Sequence, residues 1–372
     1  MRSHYHSKEP APKNKIIGND VLSISINSAI DSLEAPEGDR LRPVRIWLYI
    51  LAFTILLMVS VGGLTRLTDS GLSITSWKPI SGMLPPLSLS DWQAEFEAYQ
   101  QIPEFELQNN WMDLEAFKSI FWWEWGHRFL GRIIGFMFAI PFVVFLVQRR
   151  LNWRLAPSLA LLFVLGGFQG FLGWWMVSSG LTERVDVSQY RLAAHLGAAS
   201  LLLAAIVWVA RRLRPDRAGD LGTGNIIALW GLAFLVFLQI LMGAFVAGLD
   251  AGYGFNTWPL MEGRWVPEGL VVLEPAWRNL FENLLAVQFA HRMLAYVILL
   301  YVVVWVGAGW LREGFSGLDN WLKIIVLMVV GQVVLGILTL IYVVPIPLAI
   351  GHQALAFMLF AALFATLADE SS

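Results

Sequence analysis

The chain has 372 residues, of which 57% are hydrophobic and 15% are charged, with a net charge of −2 and no cysteine. Soluble domains carry about 25% charged residues, so this composition excludes an ordinary soluble protein and indicates repeated membrane crossings. The lack of cysteine excludes disulfides, iron–sulfur clusters and thiolate metal sites, and the small net charge gives no reason to expect nucleic acid as a partner.

The N-terminal segment, residues 1–44, is polar and contains both acidic and basic side chains. It lacks the apolar centre of a signal peptide, and its acids argue against a mitochondrial transit peptide. We therefore expect a disordered cytosolic tail, in which His4 and His6 have no function. The same acids favour a bacterial inner membrane over the alternative, the mitochondrial inner membrane.

Eight apolar stretches follow, each long enough to span a bilayer as a helix. They lie near residues 45–65, 122–148, 156–178, 191–210, 225–248, 284–310, 321–343 and 347–367. Arginines precede the first stretch and follow the second, fourth and sixth, for example Arg149, Arg211 and Arg312. By the positive-inside rule, both termini are then cytosolic, and the long loops 66–120 and 249–283 face the other side.

The sequence also repeats itself in two halves. Aligning Gly62 with Gly243 needs no gap and pairs Asp69 with Asp250, Gly71 with Gly252, Trp77 with Trp258 and Gly82 with Gly263. The third and seventh stretches share the pattern Gln-x-x-x-Gly, starting at Gln169 and Gln332. We therefore predict an all-α membrane protein whose eight transmembrane helices form two parallel, pseudo-symmetric four-helix bundles, residues 45–215 and 225–367.

Four of the six histidines lie on the even-numbered stretches: His127, His195, His291 and His352. These stretches run in the same direction, and each histidine lies about two turns from the start, so all four share one depth near the outer surface. Two helices of one bundle can point two imidazoles at each other, and a haem with its iron fits between such a pair. We therefore predict two bis-His haem sites, His127 with His195 and His291 with His352.

Other interpretations of these residues stay open at this point. A membrane histidine can serve only as a hydrogen-bonded helix contact, although four at matched depth favour a functional role. Zinc and copper sites usually gather three or four ligands in one cluster, whereas the repeat separates these histidines into pairs. Gly131 and Gly135 after His127 leave room for a ring, or serve bare helix packing. Arg128 and Arg292 are candidates to bind haem propionates, or to extend along the membrane interface.

One difference between the halves concerns an ionisable side chain. Glu124 lies one turn before His127, whereas its counterpart before His291 is the amide Gln288. A carboxyl group in a poorly hydrated site can exchange protons, and an amide cannot. The simpler alternative is an ion pair of Glu124 with Arg128 at i+4. We expect chemistry at the first pair and a permanent electron-transfer haem at the second, with loop 66–120 either capping the first site or meeting a partner.

The runs "GGLTRLTDSGLSITSWKPISGMLPP", "EFEAYQQIPEF" and "EWGHRFLGR" resemble the heme A synthases, in particular their cysteine-free branch from alphaproteobacteria and mitochondria. The resemblance extends from about residue 45 to the end of the chain. It implies oxidation of one ring methyl of haem O to the formyl group of haem A. It also implies that His291 and His352 bind a resident haem B, that His127 and His195 hold the haem O substrate, and that Glu124 is an essential acid.

Two other functions fit part of this pattern. A di-haem b-type membrane cytochrome that only passes electrons is the main alternative, but it needs no acid at one haem alone. A haem transporter is less consistent with parallel repeats and continuous helices. For the synthase, further expectations are contacts with membrane lipid, with the farnesyltransferase that makes haem O, with oxidase assembly factors and with a second copy of the chain.

Overall fold

A computed structural model describes residues 39–79, 81–215, 219, 221–317 and 320–370, without the side chains of 312–317; most of the expected tail, residues 1–38, lies outside this part. Within it, eight helices are long and apolar enough to cross a membrane, which confirms the predicted all-α membrane protein. They are α1 (Arg42–Leu67), α2 (Leu114–Val147), α3 (Leu155–Val177), α4 (Gln189–Arg212), α5 (Thr223–Gly248), α6 (Leu284–Gly317), α7 (Asn320–Ile341) and α8 (Ile346–Glu370).

Helix α2 begins at Leu114, two turns before the start near residue 122 that the hydropathy pattern predicts. Asp113 caps this start, because its carboxylate accepts a backbone N–H bond at 2.9 Å. Phe117 and Ile120 on the extra turns are buried against the outer loop. Polar residues such as Lys118 lower the mean hydropathy of this segment. A hydropathy average over a membrane-length window therefore does not include these turns.

The helix contacts follow the sequence repeat. In the first half, α1 packs on α2, α2 on α3, α3 on α4 and α4 on α1, and α5 to α8 make the same closed ring in the second half. The halves meet through α1, α4, α5 and α8, with α4 packed on both α5 and α8 and α8 packed on α1. The histidine-bearing helices, α2 with α4 and α6 with α8, are therefore diagonal partners within each ring.

The apolar core lies where these four inner helices meet. Its most buried side chains include Leu48, Leu51, Leu203, Ile206, Leu229, Leu232, Phe360 and Leu363, two from each inner helix. The outer helices α2, α6 and α7 bury few of their residues. Because lipid is as apolar as leucine, close packing rather than a hydrophobic driving force holds such helices together.

Ion pairs tie the helix ends together on both sides of this core. At one end, Arg211 of α4 pairs with Asp369 of α8, and Arg45 of α1 donates to the carbonyl of Leu213 at 3.1 Å. At the other end, Arg66 of α1 reaches Asp250, just beyond α5, at 2.6 Å. The start of α1 and the end of α8 thus lie at the same end of the bundle. Which side of the membrane this end faces stays a prediction.

The first outer loop, residues 68–113, folds onto the start of α2. It contains the helix Leu89–Tyr99, whose capping box pairs Ser88 with Asp91, and a short π-helix over Phe105–Asn109. Tyr99 is fully buried in a satellite cluster with Leu72 and Phe117. The loop is therefore a packed unit with its own small core, which is built on the start of α2.

The backbone repeats along with the sequence. Helices α1 and α5 both have 26 residues, and their bounds coincide in the alignment of Gly62 with Gly243. Just after each helix, Asp69 and Asp250 both adopt positive φ, 46° and 53°, a region that few non-glycine residues occupy. The two halves therefore leave the membrane along the same path.

Packing of α5 against α4 gives a first testable prediction. A Cβ atom added at Gly248 would lie 2.8 Å from the backbone Cα of Gln189, which cannot move aside. We expect Gly248→Ala to destabilise the protein by about 1–3 kcal/mol through overpacking. The matched control is Gly167→Ala on α3, where the added methyl meets nothing within 4 Å. Thermal unfolding in detergent checks this; equal unfolding temperatures for the two variants would contradict the tight α4–α5 contact.

Candidate functional site

The four membrane histidines lie in two pairs, one in each ring of helices. His127 on α2 and His195 on α4 are close enough for their charges to interact. In the second half, the ring centres of His291 on α6 and His352 on α8 are 6.4 Å apart, with the rings at 74° to each other. The fold thus brings together the partners that the sequence pairs, and it keeps the two pairs in separate halves.

Each imidazole faces a glycine on a neighbouring odd-numbered helix. A Cβ atom added at Gly62, Gly173, Gly243 or Gly336 would lie 3.0, 3.0, 3.4 and 2.9 Å from the ring of His127, His195, His291 and His352, respectively. A methyl group would therefore crowd the ring at Gly62, Gly173 and Gly336, and would just touch it at Gly243. These glycines keep space for imidazole movement on the inner face of each ring of helices.

An amide side chain one turn before the glycine holds three of the four histidines. Gln169, Gln239 and Gln332 donate from Nε2 to the backbone carbonyls of His195, His291 and His352 at 2.8, 3.0 and 3.0 Å. The same Nε2 atoms lie 3.0, 3.2 and 3.5 Å from a ring nitrogen. The Gln-x-x-x-Gly pattern in the sequence indicates Gln169 and Gln332. Gln239-x-x-x-Gly243 carries the same signal on α5, and our sequence reasoning missed it.

Several buried polar atoms around the histidines are unpaired in the part of the chain that the structure describes. The buried Oε1 atoms of Gln169, Gln239 and Gln332 and the buried Nδ1 atoms of His291 and His352 have no hydrogen-bond partner among the described residues. Buried polar groups are normally paired, so such atoms need an explanation. Within the described part of the chain, no group of three or more His, Asp or Glu side chains is placed to hold a bare metal ion. Paired imidazoles beside glycines fit a planar metal macrocycle better.

Glu124 is 2% exposed and accepts hydrogen bonds at both carboxylate oxygens. Oε2 accepts from the Ser73 hydroxyl at 2.8 Å and from the backbone N–H of Ile74 at 2.7 Å. Oε1 accepts from Nε and Nη2 of Arg128 at 3.0 and 2.6 Å. The expected ion pair with Arg128 is present, and the first outer loop closes directly over the acid.

Gln288 occupies the equivalent place with its hydrogen bonds reversed. Its Nε2 donates to the carbonyls of Ala251 and Gly254 at 2.6 and 2.7 Å, and its Oε1 accepts from Arg292 at 2.9 Å. In the repeat alignment, Gly254 stands where the first half has Ser73. The first loop therefore presents donors to a carboxylate, and the second presents acceptors to an amide.

The arginine after each first histidine fastens the outer loop in both halves. Arg128 donates to the carbonyls of Ile74 and Ser76 at 2.7 and 3.1 Å. Arg292 donates to the carbonyls of Phe255 and Thr257, which are the aligned positions, at 2.5 and 2.8 Å. These bonds leave Arg128 well occupied by protein groups, so haem propionate binding by Arg128 and Arg292 stays a prediction.

A further cation, Arg132, lies beside the first site; the sequence offers no reason to expect it as a propionate ligand. Arg132 lines a cavity of about 460 Å³ together with Arg128, Trp125 and Lys78. It donates to the carbonyls of Lys78 and Pro79, both at 2.9 Å, while its buried Nη1 has no partner among the described residues. Arg132 can therefore receive an anionic group in this cavity with less rearrangement than Arg128.

A second buried acid lies within the outer loop. Glu104 is 4% exposed, is hydrogen-bonded to the Tyr99 hydroxyl, and has an unpaired Oε2. Burial raises the pKa of Glu104 from 4.5 to about 8, and the nearby charges of Glu124, Asp69 and Asp186 add to this, against the opposing effect of the Tyr99 bond. The sequence gives no signal that this acid is buried.

The sequence of the chain matches a family of known proteins over most of its length. A family described as "Cytochrome oxidase assembly protein" matches residues 45–364. A "Heme A synthase" of Parvibaculum lavamentivorans is 49% identical over 337 residues, covering 91% of this chain and 96% of the relative. "Heme A synthase" proteins of Azorhizobium caulinodans and Chelativorans sp. are 52% and 53% identical, each covering 84% of this chain.

The buried acid Glu104 makes stability depend on pH. Because its pKa is about 8 in the folded chain and 4.5 when exposed, the folded state keeps a proton that the unfolded state releases between these values. The free energy of unfolding therefore falls as pH rises from about 4.5 to about 8. We expect Glu104→Gln to raise the unfolding temperature relative to wild type more at pH 8.5 than at pH 5. Glu115→Gln, an exposed acid nearby, is the control; equal differences at both pH values would contradict the burial effect.

Proposed function

The chain belongs to the heme A synthase family, and from this premise we propose that it oxidises one ring methyl of haem O to the formyl group of haem A. The observation that carries this proposal is the single acid at the histidine pairs. Glu124 lies beside the first pair, and the second pair has the amide Gln288 in its place, with each loop built to match. An electron carrier with two equivalent haems has no use for this difference.

We assign the second half to a resident haem B held by His291 and His352. Support comes from the two imidazoles, each with a glutamine on the helix behind it, and from the unpaired Nδ1 atoms of both rings. The two imidazoles, with ring centres 6.4 Å apart, would hold the iron of the haem between α6 and α8. When bound, haem B would supply a one-electron carrier through which the electrons released by the oxidation pass to an external acceptor.

We assign the first half to the haem O substrate, with His127 and His195 as iron ligands. The glycine faces at Gly62 and Gly173 leave these imidazoles space to turn, as in the second half. Arg128, Arg132 and Arg292 are proposed to pair with haem propionates, with Arg132 best placed in the first half because of its unpaired Nη1. A carboxylate could join that arginine without breaking its two bonds to loop carbonyls.

Glu124 is the proposed acid–base group of the reaction. Its place one turn before His127 directs it towards the edge of a ring held there. The carboxylate takes protons from the activated methyl carbon or stabilises positive charge on it, and Ser73, Ile74 and Arg128 hold its two oxygens in place. The outer loop above it restricts water, which strengthens electrostatic interactions at the site.

The membrane setting follows from the charge pattern. We propose a bacterial inner membrane with both termini cytosolic, since the end of the bundle that carries Arg45, Arg149 and Arg211 is the positive one. The histidine pairs and outer loops then face the periplasm. Proposed partners, from the pathway chemistry, are the farnesyltransferase that makes haem O and the assembly factors that receive haem A.

Haem extraction is the direct test of this function. The protein is purified from cells that make haem O, and its haems are separated by reverse-phase chromatography. We expect haem B together with haem A or a hydroxylated haem O. His291→Ala should lose haem B and keep some substrate haem, which assigns the second site. Haem B alone, in cells with abundant haem O, would favour the di-haem electron carrier.

Replacement of the acid tests its role. We expect Glu124→Gln to keep both haems and to lower haem A formation about 100-fold or more, within the usual range for a lost acid–base group. The NH2 group of the amide introduced by Glu124→Gln would have to face another donor, either Arg128 or the Ile74 N–H, and this could disturb the loop. A second variant therefore controls for loop disturbance. Ser73→Ala removes one hydrogen bond to Glu124 but keeps the carboxylate, so it should retain most activity. Normal haem A formation in Glu124→Gln, with both haems bound, would show that the assigned role is wrong.

A further inference from the structure

The four histidines differ in the residue that lies behind them. In each case a glycine faces the imidazole, and the residue one turn earlier lies on the same face of that helix. That residue is Gln169 for His195, Gln239 for His291 and Gln332 for His352. For His127 it is Met58, which the repeat alignment pairs with Gln239. The exception therefore lies at one ligand of the proposed substrate site.

The three glutamines have the groups that an iron-bound imidazole needs. Each fixes its helix contact by donating to the histidine carbonyl, at 2.8 to 3.0 Å. Each also keeps a buried Oε1 atom without a partner in the described part of the chain. An imidazole that binds metal through one nitrogen donates the N–H of the other, usually to an oxygen, and this bond fixes the ring orientation and strengthens the ligand. In this structure the amide Nε2 is the atom nearest the ring nitrogen, so the imidazole must turn before the free Oε1 can accept this bond, and the facing glycine leaves space for that turn.

Met58 cannot do the same for His127. Its thioether sulfur is only a weak acceptor and has no hydrogen to donate. Its methyl group lies towards α2, 3.3 Å from the position that a Cβ on Gly131 would take. The second half has Ala295 at the position of Gly131, so a methionine there would have less room. Among the described residues, the ring nitrogens of His127 have no hydrogen-bond partner, in contrast to the other three histidines.

We propose that Met58 makes His127 the exchangeable ligand of the molecule, so that the first pair binds and releases haem while the second pair retains it. This inference rests on the proposed function, in which the first half must take up a substrate and release a product. Met58 acts through His127 and is a positioning residue. His195, held by Gln169, is the ligand that keeps the incoming haem in register while His127 binds or leaves.

The test compares haem loss from each site with the same probe. Proteins are loaded with haem B, and its transfer to excess apomyoglobin is followed by absorption. The His291→Ala background reports the first site, and the His127→Ala background reports the second. We expect faster loss from the first site, a slowing of that loss by about 10-fold or more in Met58→Gln, and a comparable acceleration at the second site in Gln239→Met, since such supporting residues typically change metal affinity about 10- to 100-fold.

Met58→Leu is the matched control, because it also lacks a hydrogen-bonding group and should leave the rate of loss unchanged. An unchanged first-site rate in Met58→Gln, or equal slowing at both sites, would overturn the proposal. Gln239→Met keeps the test informative if Met58→Gln does not fold. The outcome is independent of catalysis. Should exchange behave as expected while no haem A or hydroxylated haem O ever forms, the proposed function fails and the role of Met58 stands.

Discussion

The need to pair backbone and charged groups inside the protein governs the outer loops, because lipid offers no hydrogen-bond partners. The clearest case is the contact between an arginine on an even-numbered helix and the carbonyls of the outer loop. Arg128 binds Ile74 and Ser76 in the first half, and Arg292 binds the aligned residues in the second. This contact positions the loop over the histidines, and the group one turn before the arginine, Glu124 or Gln288, completes it.

The two halves keep this framework and differ at a few positions inside it. The histidines, their facing glycines and the arginine contacts are common to both. Glu124 replaces the amide Gln288, and Met58 replaces the amide Gln239. Glu124 lies one turn before His127, Met58 lies one turn before the glycine that faces His127, and both exchange a neutral amide for a group with different chemistry. Under the proposed function, one difference supplies an acid and the other leaves the ligand His127 without a supporting amide, which are the two properties expected of a substrate site rather than a resident cofactor site.

Much of this arrangement could be predicted from the sequence, since it depends on patterns of side chains. Hydropathy located all eight helices, and the repeat with its histidines located the pairs. The early start of α2 was missed because Phe117 and Ile120 are buried by a loop rather than by lipid. The arginine contacts were missed because their acceptors are backbone carbonyls, which any residue carries. Glu104 showed no signal, since its burial depends on how the loop folds. The place of Met58 could have been found by extending Gln-x-x-x-Gly to α1 and α5.

The hydrogen bonds at Glu124 also indicate how the two halves must have diverged. A carboxylate placed at Gln288 would face the carbonyls of Ala251 and Gly254 at about the distance of the present bonds, 2.6 and 2.7 Å, with only Arg292 as a donor. A carboxyl group at this position would have to stay protonated, or the loop would have to move away from it. An acid therefore cannot be exchanged between halves by one substitution. The helix turn with its acid and the loop segment with Ser73 and the Ile74 N–H form one structural unit, in which several donors hold the carboxylate that the proposed chemistry needs.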